Sequence, residues 1–116
     1  MVHQDNSINY VEFPMVDAQA TKLFYSKVFG WSFTDWGDNY ISFNGAGIDG
    51  GFDGSGDRPI AASGALVILY SKSLERCQDI IVGAGGTITR PIFSFPGGRR
   101  FHFNDTNGNE LAVWSE

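Results

Sequence analysis

Apolar and polar residues nearly alternate through INYVEF, Ile8–Phe13, the period of two that a strand imposes. Pro14 stops the alternation. A first strand is therefore predicted from about Ser7 to Phe13, with Tyr10 and Glu12 on one face. Asp17 is placed to cap a helix. In DAQATKLFYSKVFG, Ala20, Leu23, Phe24 and Val28 then recur at helical spacing, and Gly30 closes the helix. WSFTDW alternates again, with Trp31, Phe33 and Asp35 sharing a face. NYISFN alternates next, Asn44-Gly45 signals a hairpin turn, and AGIDGGF reads as a third short strand loosened by glycine.

The pattern then starts over. GALVILY is a continuous apolar run, which predicts a strand covered on both faces. Ser73 is a second cap, before a helix that puts Leu74, Cys77, Ile81 and Ala84 on one face until Gly85-Gly86. TITRPIF is a strand interrupted by Pro91, and SFPGG is a loop. RRFHFN alternates strictly, Asn107-Gly108 marks another hairpin, and NELAVWS is the last strand. Between the halves, DGSGDRP (Asp53 to Pro59) is apolar-poor and too short to separate independent domains. The two caps lie 56 positions apart, at 17 and 73. These repeats predict two βαβββ units. The expected fold is α+β: one domain, 1–116, with a first module at about 5–53, a linker at 54–61 and a second module at about 62–116. Two such modules roll their strands into a cupped mixed sheet with the helices outside, and the concave face is the natural pocket.

Composition narrows the function. The net charge of −5 argues against binding a phosphate backbone, and the two arginines of GGRR are a local pair rather than a patch. A single cysteine, Cys77, cannot form an internal disulfide and reads as a core thiol. MVHQDNS lacks the apolar core of a signal peptide, and no run approaches a membrane span. The expectation is a cytoplasmic protein that binds neither nucleic acid nor membrane.

VEFPMVDAQATKLFYSKVFGW, the doubled βαβββ layout and FNDTNGNELAVW together resemble the vicinal oxygen chelate superfamily, the group of glyoxalase I, bleomycin resistance proteins and extradiol dioxygenases. The resemblance covers nearly the whole chain. It implies paired βαβββ modules, a homodimer, and in many members a divalent metal held in the cup by His, Gln or Glu. Such an ion chelates two adjacent substrate oxygens and stabilises an enolate or bound dioxygen. The resemblance carries the first-strand ligand onto Tyr10, its counterpart in the second module onto Leu66, and the last-strand ligand onto Ala112. The fourth falls among Tyr40, Ser42 and Asn44. Tyr10, Leu66 and Ala112 argue against the metal, and with it against glyoxalase or dioxygenase chemistry, so no cofactor is expected.

What remains in the expected cup is an aromatic wall, Tyr10, Tyr70 and Trp114, and a polar cluster, Glu12, Arg100, His102 and Glu110. Leu66 and Ala112 complete the ligand-binding set. The bland roles are a packed Tyr10, a Glu12–Arg100 ion pair, a structural His102 and a solvated Glu110. FPGGRR reads either as a mobile loop at the mouth or as an ordinary turn. Three functions follow. The first is a metal-free protein binding a small organic molecule, its acidity compatible with a basic ligand. The second is a lyase or isomerase, related to lactoylglutathione lyase, with His102 and Glu12 or Glu110 as acid–base groups on a small carbonyl compound. The third is a metal enzyme with relocated ligands His102, Glu12 and Glu110, of dioxygenase type on an aromatic compound.

Overall fold

The structure, a computed structural model, describes residues 3–61 and 63–116, so the module boundary expected at 62 lies outside the described residues. Element order is β1 (Tyr10–Pro14), α1 (Ala18–Phe29), β2 (Ser32–Asp35), β3 (Tyr40–Asn44), β4 (Asp49–Asp53), β5 (Val67–Tyr70), α2 (Leu74–Gly83), β6 (Thr87–Phe95), β7 (Gly98–Asn104) and β8 (Glu110–Ser115). The α+β class and the doubled βαβββ order are those expected. The strands form two four-stranded sheets, ordered β1-β4-β3-β2 and β5-β8-β7-β6. In each sheet the strand before the helix pairs in parallel with the last strand of its module, β1 with β4 and β5 with β8, and the other pairs are antiparallel.

Helix α1 begins where Asp17 accepts a hydrogen bond from the Ala20 amide at 3.0 Å and ends at Gly30, whose φ of 74° suits glycine. Ser73 holds the corresponding position before α2, but its side chain makes no capping bond, and α2 ends at Gly83 rather than at Gly85-Gly86. One aromatic core joins both halves. Tyr25 of α1 stacks on Trp31 at 4.8 Å and meets Phe52 of β4 at 5.0 Å, while Phe24 faces Phe103 of β7 at 6.2 Å. Leu74, Cys77 and Ile81 of α2 enter the same cluster, so Cys77 is the core thiol expected. Its burial raises the thiol pKa.

The Asp105–Asn109 turn latches the halves together. Asp105, 5% exposed, accepts hydrogen bonds from the backbone amides of Asn107 and Asn109, both at 2.9 Å, and from the Tyr25 hydroxyl at 2.7 Å. Asn107 accepts from the Val16 amide at 2.8 Å and donates to Thr21 Oγ1 at 2.9 Å. Asn109 Nδ2 donates to the Pro14 carbonyl at 2.8 Å.

Three local expectations change. Strand β6 runs straight through Pro91, with register shifts between Ile88, Arg90 and Phe93; it is an edge strand, where a missing amide is tolerated. Of the two readings of FPGGRR, the ordinary turn is the one formed, and the strands reach further into SFPGG than expected. Phe95 pairs with Gly98, leaving Pro96-Gly97 as a tight turn. The apolar run of β5 is open on one face: Ile68 is 42% and Tyr70 51% exposed, because no helix packs on that face of its sheet.

Candidate functional site

Each sheet turns one face to the helices and leaves the other open. On β1, Phe13 is buried against the core while Tyr10 and Glu12 are exposed. On β8, Leu111 and Val113 are buried, and Glu110, Ala112 and Trp114 take the other side. Strand parity thus sends the expected residues to open faces, but it divides them between two sheets. Tyr10 and Glu12 lie on the first. Tyr70, Arg100, His102, Glu110, Ala112 and Trp114 lie on the second, and Leu66 stands just before β5.

On the first open face, Tyr10 and Tyr40 share a hydrogen bond of 2.6 Å between their hydroxyls. Gly51 between them makes room, since a Cβ there would sit 2.5 Å from the Tyr40 oxygen and 2.6 Å from that of Tyr10. Burial, then the contact with Tyr10, then the charge and hydrogen bonding of Glu12 raise the Tyr40 phenol above its ordinary pKa. Trp36 donates from Nε1 to Ser42 Oγ at 2.8 Å. Tyr10, Trp36, Tyr40, Ser42 and Asp49 line a shallow cavity of about 430 Å³. Sequence reasoning missed Trp36 and named Tyr40 only as a metal-ligand candidate. The alternation in NYISFN was the available signal for Tyr40.

On the second open face, His102 Nδ1 and Glu110 Oε2 lie 3.3 Å apart, with side chains 11% and 31% exposed. Thr89 Oγ1 also donates to that carboxylate, at 3.2 Å. Among the described residues, His102 Nε2 and Arg100 Nε are buried without hydrogen-bond partners. The expected Glu12–Arg100 ion pair is not formed; the two residues are on different sheets. Arg100 instead lies over Phe93 and Phe95, its Cζ 5.4 and 5.7 Å from their ring centroids, and Arg90 stacks on Phe93 at 3.7 Å. Trp114 meets Tyr70 edge-on at 5.2 Å. Ile68, Phe95, Gly97, Arg100 and Trp114 line a cavity of about 410 Å³. Arg90, Phe93 and Phe95 were missed because the shifted register of β6 hides their parity.

The catalytic pair His102–Glu12 is not brought together, and Glu110 takes the place beside His102. Glu12 and Glu110 do line one cavity of about 270 Å³ with Arg58 of the connecting segment. The relocated metal set is not assembled either: among the described residues no three His, Cys, Asp or Glu side chains group closely enough to hold an ion. At the positions carried over from the family, Tyr10 is bonded to Tyr40 and Leu66 carries no donor. Ala112 is fully buried, with Ile68 and His102 as its cross-strand neighbours. No helix among the described residues is long and apolar enough to cross a membrane.

Comparison with solved structures finds the same fold at low identity. A glyoxalase-related enzyme from Fulvimarina pelagi superposes with a TM-score of 0.79 at 16% identity, over 96% of this chain and 88% of that one. The fosfomycin resistance protein FosX from Listeria monocytogenes gives 0.79 at 13% identity, over 97% and 95%. A glyoxalase/bleomycin resistance protein/dioxygenase family enzyme from Burkholderia phytofirmans PsJN gives 0.77 at 14%, over 90% and 94%. No curated protein matches the sequence. The family model of the Glyoxalase/Bleomycin resistance protein/Dioxygenase superfamily matches residues 7–113. With its two βαβββ halves and its open-faced sheets, this chain belongs to that superfamily.

Proposed function

We propose that this protein is a metal-free member of the superfamily that binds a small organic molecule on the open faces of its sheets. The carrying observation is the donor set. A divalent metal needs several converging oxygen or nitrogen ligands, and Tyr10, Leu66 and Ala112 offer one phenol, already hydrogen-bonded to Tyr40. These residues do not fit the family's ion. What they leave is an aromatic, partly apolar surface suited to stacking on a ligand. Tyr10, Trp36, Ile68 and Tyr70 are 44%, 63%, 42% and 51% exposed; Tyr10 and Trp36 line the cavity of the first face and Ile68 that of the second. The working unit in this reading is a cytoplasmic homodimer, in which a second copy covers an open face.

Metal analysis and a thermal-shift screen test this directly. Protein purified without chelator should carry far less than one equivalent of Ni, Zn, Mn or Fe, and adding these ions should leave the melting temperature unchanged. A small aromatic ligand at about 100 times its dissociation constant should add roughly 2.7 kcal/mol of stability. One tightly held equivalent of metal would overturn the reading.

The His102–Glu110 pair supports a second reading, an isomerase or lyase. With Nδ1–H donated to Glu110, Nε2 presents a lone pair with no partner among the described residues, the arrangement of an oriented general base. His102→Gln should then cut turnover of a small carbonyl substrate by about 100-fold or more and remove one limb from the pH–rate profile of what remains. Unchanged turnover would end this mechanism.

A further inference from the structure

We infer that the cavity on the second sheet selects planar aromatic anions, with Arg100 as the group that holds the negative charge. The inference rests on the ligand-binding reading above and names the ligand class for one face.

The charges of this acidic chain are unevenly placed. The two arginines of GGRR point to opposite sides of β7. Arg99 is paired, its guanidinium holding Glu75 at 2.7 and 3.3 Å. Arg100 has no carboxylate within ion-pair distance among the described residues, nor does Arg90. Both guanidiniums nevertheless converge on Phe93. Two acids reach that face and both are engaged elsewhere: Glu110 is shared by His102 and Thr89, and Glu116 accepts from the Tyr70 hydroxyl at 3.4 Å.

An unpaired cation held against apolar rings keeps only part of its hydration, and its buried Nε–H has no acceptor. A carboxylate or similar anion would satisfy that donor, and a guanidinium binds such groups through two parallel bonds. The rest of the cavity sets the shape. Trp114, Phe95 and Ile68 offer flat apolar surface beside Arg100 in about 410 Å³, within the range of about 300–1,000 Å³ usual for small-molecule sites. Glu110 and Glu116 on this face are already hydrogen-bonded, so Arg100 is the charge left without a protein partner beside the cavity. Acidic groups gather on the first sheet, at Glu12, Asp49 and Asp53.

A matched set of probes tests the inference on the full chain: 1-naphthoate, 1-naphthamide and 1-naphthylmethylamine, titrated into ¹⁵N-labelled protein and followed by NMR. Naphthoate should shift the Trp114 indole and Arg100 Nε–H resonances and bind at least about tenfold more tightly than naphthamide, the effect of one hydrogen-bonded charge. Arg100→Gln should erase that difference, and Arg100→Lys should keep part of it. If Arg100→Gln fails to fold, the wild-type ratio alone decides. Equal binding of naphthamide at the same resonances would overturn the charge selection while leaving a ligand site in place. Naphthoate binding elsewhere, or no binding by any of the three, would overturn the site itself.

Discussion

Removing the Tyr25 hydroxyl tests whether the turn aspartate latches the two halves. Tyr25 is fully buried, and its hydroxyl donates to Asp105 Oδ2 at 2.7 Å. Tyr25→Phe keeps the ring and its stacking on Trp31, so no cavity opens; only a hydrogen bond to an ionised acceptor is lost, worth about 1.5–3 kcal/mol. Asp105→Ala is harsher. It strips the acceptor from the Tyr25 hydroxyl and from the amides of Asn107 and Asn109, each costing about 1–3 kcal/mol when buried and unpaired, so at least about 3 kcal/mol in sum. Asn109 Nδ2 also contacts Asp105, at 3.2 Å, but keeps the Pro14 carbonyl. In the Tyr25→Phe background Asp105→Ala should cost less, by a coupling of about 1.5–3 kcal/mol. Urea unfolding of the four proteins at pH 7 measures all three quantities. A Tyr25→Phe stability within about 0.5 kcal/mol of wild type at unchanged m-value, with no coupling, would refute the latch.

Burial, then Asp105, holds the Tyr25 phenol well above its ordinary pKa of 10.0 in the folded state. Below that value both states keep the proton; above it only the unfolded chain releases one, so stability should fall as pH rises past 10, by up to about 1.4 kcal/mol per unit for this group. Urea midpoints between pH 9 and 11 should show the decline, and Tyr25→Phe should make it shallower, leaving the part contributed by the raised Tyr40 phenol. Gly98 adopts φ 154°, and a Cβ there would collide with the Ser115 carbonyl; Gly98→Ala should cost about 3 kcal/mol or more by thermal or urea unfolding, and a near-neutral effect would contradict the close approach of β7 to the chain end.

Periodicity made much of this protein legible. The alternation in INYVEF places Tyr10 and Glu12 on one face whatever the rest of the chain does, and RRFHFN separates Arg100 and His102 from Phe101 and Phe103 in the same way. The Asp17 cap and Gly30 stop bracket α1 because capping is local chemistry. Where signals were weak the reading slipped. Pro91 suggested a broken strand, yet an edge position spares it the missing hydrogen bond. The apolar run of β5 suggested cover on both faces, yet the helices cover only one, which leaves Ile68 and Tyr70 open.

Pairing between distant residues was another matter. Sequence parity listed Glu12, Arg100, His102 and Glu110 as one polar cluster, because all four point to open faces. Only the tertiary structure assigned Glu12 to one sheet and the other three to the second, joined His102 to Glu110, and set Arg90 and Arg100 around Phe93. Which face a side chain takes follows from backbone geometry a few residues long, so the sequence determined it. Which charged groups meet depends on strand order, bulges and edges, set by packing across the whole chain, and that the fold alone decided.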